Sequence, residues 1–183
     1  ALVAIKRSID LVGPIGIVVK GSLIFQWHHQ FVDWVSANIG DCIPVTKRAH
    51  LMPGFKCYIF SMDMLAKKDF VNQLLGLGLK TLILDEVQCF KDDGAARTKG
   101  LINLIKLGQI KYKIALSGTP IKNRADEYFT ILNILAPMHF DSKDYFKRRW
   151  LIQNENGQYT RINPLKADQF KELTSNWIIR RNK

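Results

Sequence analysis

Two adjacent carboxylates, Asp85 and Glu86, directly follow the apolar run Thr81–Leu84. At the carboxyl end of a buried strand, one carboxylate can hold Mg²⁺ while its neighbour orients and deprotonates an attacking water molecule. Strands also end in acidic residues simply because the chain returns to solvent there. The pair is therefore compatible with magnesium-assisted hydrolysis, but a second signal is needed to favour that chemistry.

The second signal is the polar turn Ser117-Gly118-Thr119-Pro120, which follows the predicted strand Lys113-Ile114-Ala115-Leu116. Because parallel strands place their carboxyl ends at one edge of a sheet, the hydroxyl groups of this turn could hydrogen-bond the two carboxylates. The same turn is also a normal strand exit before a helix. Its pairing with Asp85 and Glu86 is what favours a functional interpretation.

The elements that would carry these residues alternate along the chain. Short, mostly apolar runs predict strands at 15–19, 57–60, 81–84 and 113–116. Helical spacing predicts intervening helices near 62–75, 102–105 and 128–135, and a first helix capped by Ser22 with an inward stripe of Ile24, Trp27, Phe31 and Trp34. Strands that are apolar on both faces and separated by helices form parallel sheets covered on both sides, so we predict an α/β fold. From Pro137 onward the strand pattern fades, and we predict a helical extension.

Composition narrows the classes of protein to consider. The 183 residues are 47% hydrophobic and 23% charged, which is typical of a well-cored globular domain and excludes disordered and collagen-like chains. The net charge of +11 suits a polyanionic partner such as nucleic acid, or a membrane surface. No apolar run approaches the roughly 20 residues that span a bilayer, so we do not expect an integral membrane protein.

The cysteines, the histidines and the first residues exclude further classes. Cys42, Cys57 and Cys89 form no C-x-x-C pair, which indicates reduced thiols of an intracellular protein and neither a disulfide framework nor a zinc site. The four histidines lack acidic or cysteine neighbours at ligand spacing, so we expect no metal other than Mg²⁺. The chain begins with neither Met nor a signal peptide pattern, and we expect it to be truncated.

In their order along the chain, these motifs resemble those of the Swi/Snf-related ATPases, the chromatin-remodeller and DNA-translocase branch of the superfamily-two helicases. The similar segments are 18–23 with Trp27 (motif Ia), 58–65 (motif Ib), 84–88 with Lys91 (motif II, a Walker B arrangement), 116–123 (motif III), 128–137, 146–150 and the double-arginine segment 180–183. The resemblance covers nearly the whole chain. It implies a RecA-like parallel sheet flanked by helices, with a C-terminal helical extension.

The resemblance also implies roles for individual residues. Asp85 would coordinate Mg²⁺, Glu86 would activate water, and the turn Ser117, Gly118 and Thr119 would couple ATP hydrolysis to contact with double-stranded DNA. The family usually has His where Gln88 stands, and an amide can still bridge to motif III by hydrogen bonds. The residues expected to face the DNA backbone without reading its sequence are Lys20, Gly21, Ser22 and Ser61. Lys122 and Asn123 are further candidates, but a solvated lysine and a helix cap explain them equally well.

Two parts of such a motor are missing from the sequence. No G-x-x-x-x-G-K-[ST] phosphate loop occurs, since Gly13-Pro14-Ile15-Gly16 lacks the lysine and the hydroxyl residue. We therefore expect residues 1–136 to be a partial N-terminal lobe and 137–183 an extension leading toward a second RecA-like lobe, its partner within the same protein. Alone, the chain should be inactive as an ATPase. We expect no small-molecule substrate beyond ATP, and a location in the nucleus or nucleoid, or in the host cytoplasm if the protein is viral.

Two alternatives stay open. One is a strand-separating superfamily-two helicase or a restriction-type translocase with the same two-lobed engine. The other is a degenerate, non-catalytic lobe kept as a DNA-binding or protein-docking module. An intact phosphate loop upstream would favour an enzyme, and a broken one would favour the non-catalytic module.

Overall fold

The computed structural model describes residues 13–36, 38–118, 127–175 and 177–179, together with Lys6. They form two compact units that divide after Gly118. Each unit has its own cluster of buried apolar side chains. The lobe boundary predicted after residue 136 stays a prediction, since these units are defined by packing alone.

The first unit is built on a parallel sheet of five strands in the order β2-β3-β1-β4-β5. The strands are β1 (Ile15–Val19), β2 (Cys42–Val45), β3 (Cys57–Ser61), β4 (Thr81–Leu84) and β5 (Tyr112–Ala115). In this register Val19 pairs with Ser61, while Leu84 pairs with Val18 and Ala115. The carboxyl ends of the four strands from β3 to β5 therefore lie side by side at one edge.

Helices cover this sheet. They are α1 (Ile24–Trp34), α2 (Lys68–Gly76) and α3 (Ala96–Leu107). Helix α1 packs through Ile24 and Phe31 onto the sheet face formed by Ile15, Ile17 and Ile83. Helix α3 crosses the 3₁₀ segment Met62–Ala66 at Gly100, where an added Cβ would overlap the carbonyl oxygen of Leu65.

Three predictions for the first unit need correction. Ser22 does not cap α1, because the 3₁₀ turn Gly21–Leu23 precedes the helix and Leu23 occupies the cap position. Trp34 is 60% exposed, because α1 ends at this residue instead of continuing its inward stripe. The segment 40–54, whose mixed and poorly periodic residues predict no strand, contains strand β2. Among the described strands β2 pairs with β3 alone, and this edge position tolerates Pro44.

The second unit combines helices with a small sheet. Its elements are α4 (Glu127–Leu135), α5 (Lys143–Trp150), the antiparallel pair β6 (Leu151–Gln153) and β7 (Tyr159–Ile162), and α6 (Ala167–Ser175). Aromatic side chains dominate its core, with Phe146 and Phe170 buried at its centre. We predicted a helical extension, but the second unit also contains the antiparallel pair β6 and β7. The chain folds back between these strands at the turn that contains Gly157, where φ is +74°.

Two predicted features lie outside the described residues. One is a helix indicated by the apolar spacing of Leu2, Ile5, Ile9 and Val12, of which only Lys6 is described, and the other is the double-arginine segment 180–183. Within the described part of the chain, no helix combines the length and apolar composition needed to cross a membrane.

Candidate functional site

Asp85 and Glu86 lie at the edge where β4 ends. The Asp85 backbone N–H donates to the Val18 carbonyl at 2.9 Å, which extends the ladder between β4 and β1. The Asp85 carboxylate accepts two hydrogen bonds, one at Oδ1 from the Glu86 backbone N–H (3.0 Å) and one at Oδ2 from the Trp27 indole Nε1–H (3.1 Å). Donors on two different elements therefore hold this half-buried carboxylate.

The backbone of Glu86 is left-handed, with φ 51° and ψ 51°. A residue other than glycine in this region costs about 1–3 kcal/mol and persists only where its surroundings impose it. Here the next backbone N–H, that of Val87, donates to the Leu116 carbonyl at the end of β5 at 3.0 Å. The strained turn thus joins the ends of β4 and β5 and starts the 3₁₀ segment Val87–Phe90.

A chain of side-chain hydrogen bonds links the same two strand ends. Ser117 Oγ donates to Gln88 Oε1 at 2.6 Å, and Gln88 Nε2 donates to Glu86 Oε2. The predicted convergence of these strand ends is thereby confirmed, and Gln88 makes the bridge expected of an amide at this position. Gly118 follows as an exposed residue. Thr119, Lys122 and Asn123 lie outside the described residues.

The residues predicted to face DNA lie at the ends of the neighbouring strands β1 and β3. A Cβ built on Gly21 would lie 3.7 Å from Ser61 Oγ, so these two residues are close neighbours. Lys20, Gly21 and Ser22 form an exposed turn. Ser61 is only 9% exposed, and its hydroxyl oxygen accepts the Asp63 backbone N–H at 3.2 Å as a cap. The accessible part of this group is therefore the turn at 20–22.

The acid pair suits Mg²⁺ better than a metal ion whose ligands must all come from the protein. Each Asp85 oxygen accepts one hydrogen bond and keeps lone-pair capacity for a cation. Magnesium is commonly bound through one or two carboxylates, with water and phosphate oxygens completing the shell. The described residues contain no group of three or more His, Cys, Asp or Glu that could hold a metal ion by themselves. A carboxylate at this edge thus suits a cation that arrives with a phosphate ligand.

Trp27 is the site residue whose role the sequence analysis missed. Its position on the stripe of α1 predicts core packing, and it does pack, partly buried, against the core cluster beneath that helix. Its indole N–H nevertheless reaches Asp85. The available signal was chemical: a buried Trp on the helix after β1 needs an acceptor for its N–H, and the end of adjacent β4 offers a carboxylate.

His28 illustrates the opposite outcome. It is buried, and its Nε2 lies 3.3 Å from the Cys42 carbonyl oxygen. His28 therefore has a packing role between α1 and β2.

In this parallel sheet an acid pair lies at the end of one strand and is linked through Gln88 to the serine that follows the next strand. This arrangement is that of an ATPase core of the helicase-like type. The profile of the SNF2-related domain matches residues 1–183, and the chain belongs to this family.

Individual proteins show the same relationship. The chain is 26% identical over 179 residues to the ISWI chromatin-remodeling complex ATPase ISW2 of Saccharomyces cerevisiae, covering 93% of this chain and 15% of that protein. It is 25% identical over 194 residues to the DNA repair and recombination protein RDH54 of Saccharomyces cerevisiae (strain JAY291), covering 90% of this chain and 20% of that protein. The chain therefore spans a fifth or less of the length of these relatives.

The fold is matched by a solved structure, the Sulfolobus solfataricus SWI2/SNF2 ATPase core in complex with dsDNA. The TM-score is 0.73 at 20% identity, over 98% of this chain and 36% of that one. The predicted fold class, a RecA-like parallel sheet flanked by helices, is thereby confirmed.

Proposed function

We propose that the protein containing this chain is a DNA-dependent ATPase that couples ATP hydrolysis to movement along double-stranded DNA. The observation that carries the proposal is the hydrogen-bonded link from Ser117 through Gln88 to Glu86, beside Asp85. The names of the relatives support it, since they include a chromatin-remodeling ATPase and a DNA repair and recombination protein. These names also favour chromatin, and hence the nucleus, as the place of action.

Each residue of the link has a distinct task in this proposal. Asp85 holds Mg²⁺, which when bound neutralises charge on the ATP phosphates. Glu86 takes a proton from the attacking water molecule. Gln88 holds the Glu86 carboxylate by donating to it, and Ser117 fixes Gln88 from the neighbouring strand end. A movement of the β5 end would therefore shift the base that activates water.

DNA would be bound through its backbone. The exposed turn at 20–22 offers a lysine, a serine hydroxyl and backbone N–H groups, which bind phosphate without reading bases. The net charge of +11 adds attraction that does not depend on DNA sequence. We also propose that the phosphate loop and a second RecA-like lobe act together with this chain, because no G-x-x-x-x-G-K-[ST] occurs in it. The 183 residues alone should hydrolyse no ATP.

The proposal is tested by ATPase assays on the intact protein with and without double-stranded DNA. We expect Glu86→Gln to lower DNA-stimulated turnover by roughly 10²–10⁴-fold, the usual contribution of a general base. Lys20→Ala should weaken DNA binding and reduce the slope of log affinity against log salt by about one. Lys80→Ala is the matched control, because Lys80 is an exposed lysine just before β4, at the opposite edge of the sheet.

Three results would contradict this function. Wild-type turnover in Glu86→Gln would exclude Glu86 as the base. A DNA affinity that does not change with salt would exclude backbone tracking. Release of a long unpaired strand in a strand-displacement assay would indicate a strand-separating helicase instead.

A further inference from the structure

Trp27 combines an apolar ring that packs against the core with an N–H donor that reaches a carboxylate. Its ring packs, partly buried, against the core cluster that includes Ile15 and Ile17 of β1. Its Nε1–H donates at 3.1 Å to Asp85, which is 58 residues later in the sequence. The indole is therefore a donor of fixed position, because the core that holds the ring cannot rearrange without cost.

The second donor to Asp85 cannot fix the carboxylate alone. The Glu86 N–H binds only Oδ1, and it belongs to the adjacent peptide of the same strained turn. A carboxylate held at one oxygen can still rotate about its last side-chain bond, whereas one held at both oxygens cannot. Trp27 supplies the second point from a separate element, α1.

We propose that Trp27 is a positioning residue for Asp85, which fixes the carboxylate in the orientation that receives the metal ion. This inference rests on the proposed function, in which Asp85 is a ligand of Mg²⁺. Groups that hydrogen-bond a metal ligand commonly contribute about 10- to 100-fold to metal affinity. Helix α1 also starts directly after the exposed turn at 20–22, so one rigid element connects the proposed DNA contact to the proposed metal ligand.

The test is a titration of Mn²⁺ into the intact protein in the presence of ADP, followed by electron paramagnetic resonance. Trp27→Phe keeps an aromatic ring and removes the N–H donor. We expect it to weaken Mn²⁺ binding by roughly 10-fold, with unchanged affinity for metal-free ADP. Trp34→Phe is the matched control, because Trp34 is exposed on the same helix and should bind Mn²⁺ as the wild type does.

A third variant separates failure of this inference from failure of the proposed function. Asp85→Asn should lose most Mn²⁺ binding. If Asp85→Asn binds Mn²⁺ like the wild type, the metal role of Asp85 is wrong. If Asp85→Asn loses binding while Trp27→Phe matches Trp34→Phe, only the role of Trp27 is wrong.

A second measurement tests the contact between Trp27 and Asp85 even if Trp27→Phe does not fold. In protein labelled with 5-fluorotryptophan, Asp85→Asn should shift a fluorine resonance other than that of Trp34, which is assigned by its loss in Trp34→Phe. Added Mn²⁺ and ADP should broaden the same resonance first. The proposal would be overturned if no tryptophan resonance other than that of Trp34 shifted in Asp85→Asn or broadened on addition of Mn²⁺ and ADP.

Discussion

The link from Ser117 through Gln88 to Glu86 makes a prediction about how two substitutions combine. Ser117→Ala removes the donor to Gln88 Oε1, and Gln88→Ala removes both hydrogen bonds at once. If Ser117 acts on Glu86 only by fixing Gln88, removing Ser117 after Gln88 should have no further effect. The double variant should therefore turn over ATP at the rate of Gln88→Ala.

The size of each effect follows from the type of hydrogen bond lost. The bond from Ser117 to Gln88 joins neutral groups and contributes about 1 kcal/mol, which corresponds to roughly a 5-fold loss of DNA-stimulated kcat. The bond from Gln88 to Glu86 ends on a charged carboxylate and contributes about 1.5–3 kcal/mol, or roughly 10- to 150-fold. The coupling energy of the pair should then equal the smaller effect, about 1 kcal/mol.

The assay is steady-state ATP hydrolysis by the intact protein at saturating DNA, with KM for ATP measured for every variant. KM should stay unchanged, because neither side chain is proposed to bind ATP. Gln73→Ala, an exposed glutamine of α2, is the matched control. Losses that multiply in the double variant would refute the link, since Ser117 would then act independently of Gln88.

Two further predictions concern positions in the first unit, Gly100 and Cys57. Gly100→Ala should lower the free energy of unfolding of the first unit by about 1–3 kcal/mol in denaturant, because the added Cβ would overlap the Leu65 carbonyl oxygen. Gly76→Ala is the control and should not destabilise the unit, because a Cβ at Gly76 would have nothing within 4 Å. Equal stabilities of the two variants would contradict the close approach at Gly100. Burial and the Cys42 thiol raise the pKa of Cys57, so an alkylating reagent at pH 8 should modify half-buried Cys89 first; equal rates by mass spectrometry would show that Cys57 is accessible.

The central strands and the acid pair were predictable from the sequence because they depend on local pattern. Strand β4 occupies the predicted run Thr81–Leu84, since a β-branched residue and three apolar residues followed by two acids are typical of a buried strand that ends at the edge of a two-sided sheet. The neighbouring end at Ser117 followed from parallel pairing, which brings strand ends to one edge. The pairing of β4 with β5 thus brings the acid pair and the turn at Ser117 together in one site.

Features that depend on distant partners were not predictable. Strand β2 has four residues and contains Pro44, so its own sequence carries little strand signal, and its place in the sheet is set by pairing with β3. The pair β6 and β7 lies in the polar segment 151–162, whose few apolar residues show no clear strand pattern. The hydrogen bond from Trp27 to Asp85 spans 58 positions, and only the order of β1 beside β4 makes it possible.

The structure also bears on whether the acid pair is merely a solvent-exposed strand end. A surface carboxylate needs no fixed partner, because water satisfies it at little cost. Here Asp85 is held by Trp27 from the helix after β1, and Glu86 is held by Gln88 and, through it, by Ser117 at the end of β5. The backbone at Glu86 is left-handed as well, which costs free energy that a simple strand exit would avoid. Strain and convergent donors at one pair of carboxylates are the arrangement expected where the position of each oxygen matters for chemistry.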